Sequence, residues 1–238
     1  MAGTGICALC GLEKTLQKSH IIPEFLYDGL YDGLHSYHIL GTAPDAPNSH
    51  RRKGIYERLL CEDCDQRRLG RLDNYAARVF KGGIEIEVTD KPGCLIVGKL
   101  DYTTFKLWEM SLLWRCGVSR RAEFDATRLG PHTEKLRRHL LEQCAGQPYE
   151  YGCIVLLPSS HEVTKHFIYP PEPITIAGHR CYRASFGALW WVFVVSNHSA
   201  AFPSQQGFLN DQGALSIFKE ADQSSKFLLR LGKELGAF

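Results

Sequence analysis

Cysteine spacing constrains this chain more than any other feature. Cys7-Ala-Leu-Cys10 and Cys61-Glu-Asp-Cys64 are matching pairs with 50 residues between them. Two residues between cysteines let one tight turn aim both thiolates at a single centre, and two such turns complete a tetrahedral four-thiolate zinc site with no open position. Gly11, directly after Cys10, suits such a knuckle because the turn needs a residue tolerant of positive φ. Two redox-active CxxC motifs are the alternative, but two pairs bracketing one segment favour a structural zinc ion. The nine cysteines are an odd number and make a poor disulfide framework. The remaining five, Cys94, Cys116, Cys144, Cys153 and Cys181, are expected to be small buried hydrophobes.

At 238 residues and 44% hydrophobic content the chain is long and apolar enough for one large or two small cores. Its longest apolar run, Ala188 to Ser196, is about half of what a membrane span needs and reads as a buried strand. No membrane partner is expected. The opening residues lack a basic stretch followed by an apolar one, so the expected location is cytoplasmic. A net charge of +2 neither demands nor forbids nucleic acid, so any basic surface must come from how the charges are distributed.

Fifty residues is longer than the loop of a plain zinc ribbon, so something is built inside the closed segment. The candidate is Lys18-Ser19-His20-Ile21-Ile22-Pro23, in which Ile21-Ile22 favours a strand and Pro23 ends it. A histidine there is often only a satisfied, half-buried side chain. Its surroundings argue for more.

The order of a zinc pair, a strand with His-Ile-Ile-Pro, a hairpin insertion and a second zinc pair opening a helix resembles the HNH nuclease family, the zinc-stapled form of the ββα-metal fold. The resemblance rests on Cys7 to Cys10, Ser19 to Pro23, and Leu59-Leu60-Cys61-Glu62-Asp63-Cys64-Asp65. It covers residues 1 to 80, about a third of the chain. It is similar in particular to a bacterial and phage subgroup with a Ser-His-Ile-Ile-Pro core. The resemblance implies that His20 is the general base for an attacking water and that Asp65 holds a divalent Mg²⁺ or Mn²⁺ ion. Both roles make chemical sense: an imidazole accepts a proton near neutral pH, and a hard cation on oxygen ligands stabilises phosphate charge. Asp73, further along the expected helix Cys64 to Phe80, is a third candidate, with a paired helix carboxylate as its plainer reading. Glu57 lies near the family's middle motif position. Two departures stand out. Ser19 occupies a place where active members usually carry Asp or His, and the middle asparagine has no counterpart, since Tyr56 stands near its place and Asn48 lies too far upstream.

Arg51, Arg52 and Lys53 on the insertion and Arg67, Arg68 and Arg71 on the helix form a basic set suited to phosphates, with a solvated helix face as the plainer reading. DNA is the expected partner, with RNA left open. Lys91-Pro92-Gly93 suggests a boundary, giving a zinc-containing HNH-like domain over 1–90 and an accessory domain over 91–238 that selects substrate or a protein partner. In the latter, Asp101 is expected to cap a helix carrying Phe105, Trp108, Leu112 and Trp114, and a second helix is expected over His132 to Gln143. Strands are expected over Gly152 to Leu157, Lys165 to Tyr169, Ile174 to Ile176 and Ala188 to Val195, then a strand from Ser216 and a terminal helix. Trp190-Trp191 reads as strand core with one indole exposed. The fold class is therefore α+β: a treble-clef-like ββα-metal module, then helices and an antiparallel sheet. Three functions fit: a DNA-cleaving HNH endonuclease in defence or mobile-element processing; a zinc module that binds nucleic acid or protein without cutting; or a zinc knuckle on a small-molecule-binding domain.

Overall fold

The computed structural model describes residues 3–31, 36–39, 49–159, 167–195, 202 and 205–219. The chain is a mixed α+β protein with a four-cysteine cluster near its N-terminus. Strands β1 (Gly3–Ile6), β2 (Glu13–His20) and β5 (Tyr56–Cys61) form a small antiparallel sheet. Between β2 and β5 run β3 (Tyr37–Ile39) and β4 (Ser49–Arg51). After β5 the chain turns through a π-helical stretch, Asp63–Leu69, into α1 (Gly70–Phe80).

A nine-stranded sheet joins β3 and β4 to β6 (Glu87–Lys91), β7 (Cys94–Gly98), β8 (Cys153–Leu157), β9 (Phe167–Ile176), β10 (His179–Phe186), β11 (Leu189–Val194) and β12 (Leu215–Lys219), in the order β4-β3-β9-β10-β11-β8-β12-β7-β6. Its pairings are antiparallel except β3 with β9 and β12 with β8. The sheet is therefore mixed where an antiparallel one is expected. Because β3 and β4 come from between the two cysteine pairs, the two parts of the chain share this sheet. Pro92-Gly93 is not a linker: it is the turn of the β6/β7 hairpin, with Gly93 at φ 81°. The main apolar core extends from Cys7 to Leu215, and a smaller cluster gathers Ile154, Cys181, Val192, Val194, Phe202 and Phe208.

Helix α2 (Tyr102–Val118) is the hub. Asp101 caps it, accepting from the Thr104 N–H at 2.6 Å. Every residue from Phe105 to Cys116 is buried, including Lys106, Glu109, Ser111 and Arg115, so the helix is enclosed on all sides rather than along one stripe. Trp108 stacks with Phe105, Phe25, Phe80 and Trp191 at ring-centre distances of 5.1, 6.0, 5.8 and 5.6 Å. Helix α3 (His132–Glu142) packs beside it and ends on Gln143 in the left-handed region.

Several elements differ from expectation. Ile21-Ile22 follow β2 rather than forming it: β-pairing stops at His20, and both isoleucines drop fully into the core. Strand β9 is one strand where two are expected, since a bulge opposite Arg183–Ser185 accommodates Pro170 and Pro171. Strand β10 has no counterpart in the sequence reading. Both indoles of Trp190-Trp191 are buried: Trp191 faces the helices, while Trp190 is covered by Tyr169 and Arg183. Of the five isolated cysteines, Cys116, Cys153 and Cys181 are buried, Cys94 is half-buried and Cys144 is exposed. The expected terminal helix and Asn48 lie outside the described residues.

Candidate metal centre and the His20 groove

The first cysteine pair sits on the β1/β2 turn. The Cys7 N–H bonds Leu12 O at 2.9 Å, the Gly11 N–H bonds Cys7 O at 2.9 Å, and Gly11 takes φ 73° as the knuckle requires. The second pair straddles the end of β5 and the start of the π-helical turn. The Ala8 N–H reaches Leu59 O at 3.1 Å and the Cys61 N–H reaches Cys7 Sγ at 3.3 Å, which locks the two turns together. The four Sγ atoms lie within 4.8 Å of one another. The Cys10 to Cys61 separation of 3.9 Å is close to the edge of about 3.8 Å that a tetrahedron with ~2.3 Å Zn–S bonds would have.

The protonation chemistry agrees with this geometry. Burial opposes ionisation of Cys7, but N–H groups of Cys10, Cys61 and Leu9 outweigh it and bring the thiol down to about 7. Burial and the neighbouring Cys7 push Cys64 far up. Four thiolates cannot share so small a volume without a cation, and a soft, tetrahedral one such as zinc fits the donor set. Helix α3 braces the knuckle, with Arg137 Nη1 donating to Leu9 O at 2.5 Å.

His20 ends β2 opposite Tyr56 of β5, and their rings meet edge to face at 6.3 Å. Its side chain is 42% exposed and lies 3.1 Å through Nε2 from Glu24 Oε2. Lys18, His20, Glu24, Arg52, Lys53 and Tyr56 line a groove of about 370 Å³. The Lys18 ammonium lies 5.4 Å from the centre of the Tyr56 ring.

Asp65 follows the last cysteine on the π-helical turn. Burial raises its pKa; Ser19, Arg115 and His20 act against that rise, and Asp73 adds to it. Ser19 Oγ is fully buried near this carboxylate without a hydrogen-bond partner of ordinary geometry. Asp65 does not line the His20 groove.

Asp73 is committed elsewhere. Both of its carboxylate oxygens accept from Arg115, at 2.8 and 2.9 Å, and Arg115 is 3% exposed. The same guanidinium bonds Ser111 O, Ser111 Oγ and the carbonyl of His20. Glu57 is also taken, by Ser119 Oγ at 2.8 Å and the Arg120 N–H at 2.9 Å. Among the described residues, the four cysteines alone form a cluster of metal-ligand type; His20, Asp65 and Asp73 do not.

The basic set divides. Arg52 and Lys53 are exposed in the His20 groove, and the Arg51 side chain lies outside the described residues. Arg67 is exposed, with a loose contact to Asp63 at 3.8 Å. Arg68 and Arg71 instead tie the helix to the end of α3, Arg68 through Leu141 O at 2.9 Å and Arg71 through Gln143 Oε1 at 3.0 Å. The residues missed by sequence reasoning are Lys18, Glu24, Tyr31 and Arg115. Glu24 stands four positions after His20 across Pro23, a spacing that only the turn after Pro23 makes meaningful.

Among the described residues no helix is long and apolar enough to cross a membrane. Compared with family models, curated proteins and solved structures, the chain gives no significant match.

Proposed function

We propose that this chain is a zinc-stapled, HNH-type nuclease that hydrolyses phosphodiester bonds in DNA. The observation that carries the reading is the groove in which one half-exposed imidazole, His20, stands among three cationic side chains, Lys18, Arg52 and Lys53. Such cations neutralise backbone phosphates without reading sequence. The strand, strand, helix order of β2, β5 and the turn bearing Asp65 is the order implied by the resemblance to HNH proteins.

In this reading Lys18, Arg52 and Lys53 hold the phosphate, and His20 takes the proton of an attacking water at the ring nitrogen that Glu24 leaves free. Asp65 fits a hard cation, being a half-buried carboxylate beside the orphaned Ser19 hydroxyl. Asp73 does not fit, because Arg115 occupies both of its oxygens. Mg²⁺ or Mn²⁺ bound at Asp65 would supply neutralisation of charge developing on the phosphate oxygens.

A second reading, binding without hydrolysis, is favoured by one observation: of the three candidates Asp65, Asp73 and Glu57, the last two are engaged by Arg115, Ser119 and Arg120, which leaves Asp65 for the ion. Incubating the zinc-bearing chain with supercoiled plasmid separates the two. The nuclease reading expects nicking that needs Mg²⁺ or Mn²⁺ and disappears in His20→Ala while zinc content is retained. Equal nicking by His20→Ala overturns the assignment of the base. Salt-dependent plasmid retention with no nicking under either metal selects the binding module.

A further inference from the structure

Glu24 and Tyr31 form a hydrogen-bonded chain beside His20, with Glu24 on the groove wall. Pro23, with φ −53°, starts the short 3₁₀ turn Glu24–Tyr27, which folds the Glu24 side chain back over the end of β2. Glu24 Oε2 then lies 3.1 Å from His20 Nε2, while Oε1 accepts from the Tyr31 hydroxyl at 2.7 Å. Gly54 makes room for the pair: a Cβ there would fall 2.7 Å from Glu24 Oε2 and 3.3 Å from His20 Cδ2. Arg115 holds the other end of the residue through the His20 carbonyl at 3.4 Å. Among the described residues His20 Nδ1 has no hydrogen-bond partner.

We propose that Glu24, steadied by Tyr31, is a positioning residue that keeps the His20 proton on Nε2 and leaves its lone pair on Nδ1. An imidazole 42% exposed at a strand end has little packing to orient it, so a carboxylate bonded to one nitrogen decides which nitrogen can act as the base. This is the logic by which a buried carboxylate orients the base of a hydrolytic triad. Burial and the adjacent Glu24 raise the Tyr31 pKa, so its hydroxyl remains a donor across the working range. The catalytic consequence rests on the nuclease reading; the tautomer does not.

The test is ¹⁵N NMR of the imidazole nitrogens in the zinc-bearing full chain at about pH 8.5, where a free imidazole is neutral. Wild type is expected to show Nε2 protonated and Nδ1 unprotonated. In Glu24→Ala the two shifts should move toward the averaged values of a freely exchanging ring, with Tyr31→Phe in between. In parallel, plasmid cleavage by Glu24→Ala should lose about 10²- to 10⁴-fold in kcat with KM little changed. Glu24→Gln should be no better, since its amide can donate to Nε2 and hold the opposite tautomer. Zinc content reports whether each variant keeps the fold. Unchanged imidazole shifts in Glu24→Ala, or wild-type kcat in it, overturn the proposal. If wild type does not cleave at all, the nuclease reading fails and the NMR arm alone decides the role of Glu24.

Discussion

Replacing Asp73 by alanine should cost stability before it costs chemistry. The Arg115 guanidinium is 3% exposed and donates to five acceptor atoms, two of them on Asp73 and the others neutral oxygens of Ser111 and His20. Asp73→Ala removes the one anion and leaves a buried cation on neutral acceptors. Breaking a buried ion pair this way costs about 3–5 kcal/mol. Asp73 is 23% exposed, so water can replace part of the lost contact and the low end applies, about 3 kcal/mol. For a chain of this size that is about 6–12 °C in Tm. Arg115→Met should cost a similar amount, because it strands the carboxylate. The double variant should recover about 2 kcal/mol relative to the sum of the two. Urea unfolding of the zinc-bearing proteins measures all four corners of the cycle. If Asp73→Ala is as stable as wild type but has lost metal-dependent cleavage, Asp73 is a metal ligand and the account of Arg115 is wrong.

Thiol reactivity should follow the metal: with zinc bound, a bulky alkylating reagent should modify exposed Cys144 first, and a chelator should release four more thiols. Uniform reaction of all four pair cysteines before chelation would refute a shared centre. Gly54→Ala should retain zinc, lose some urea stability because the added Cβ also comes within 3.0 Å of the buried Tyr27 ring, and displace Glu24 so that the His20 imidazole resonances shift. Unmoved resonances would mean that Gly54 is not the close approach it looks. Glu109 is fully buried without a hydrogen-bond partner, and burial raises its carboxyl to about 7 against the opposing charge of Lys106. The folded state therefore binds the proton more tightly than the unfolded chain, and stability contributed below about pH 4.5 is lost as pH rises through 7. Glu109→Gln should flatten that decline in unfolding free energy between pH 5 and 8; an unchanged slope refutes it.

The cysteine pairs were legible because ligand spacing is local: two residues between thiols fix a turn whatever surrounds it. Asp101 and Gly11 were legible for the same reason, as a cap and a positive-φ position. The Asp65 to Asp73 relation was not. It assumes one regular helix from Cys64, whereas the Gly70 N–H bonds Asp65 O five residues back, and this π-helical turn changes the angle between the two carboxylates. Arg115 reads in sequence as one polar residue at the end of an aromatic helix; only tertiary packing brings it to Asp73, 42 residues away. Strand β10, His-Arg-Cys-Tyr-Arg-Ala-Ser-Phe, mixes charges with apolar residues because Arg180 and Arg183 lie over the Tyr182 and Trp190 rings respectively, which hides its alternation. Arg68 and Arg71 look like phosphate ligands by composition, and only the position of α3 shows where they bond.

The turns that bring the end of β2 and the Asp65 segment together meet at four clustered thiols, and the account requires these to converge on one ion. X-ray absorption at the zinc edge of the purified chain measures this directly. One zinc per chain with four sulfur neighbours at about 2.3 Å is the predicted result. A first shell containing nitrogen or oxygen, or a chain that stays folded with no metal bound, would contradict it.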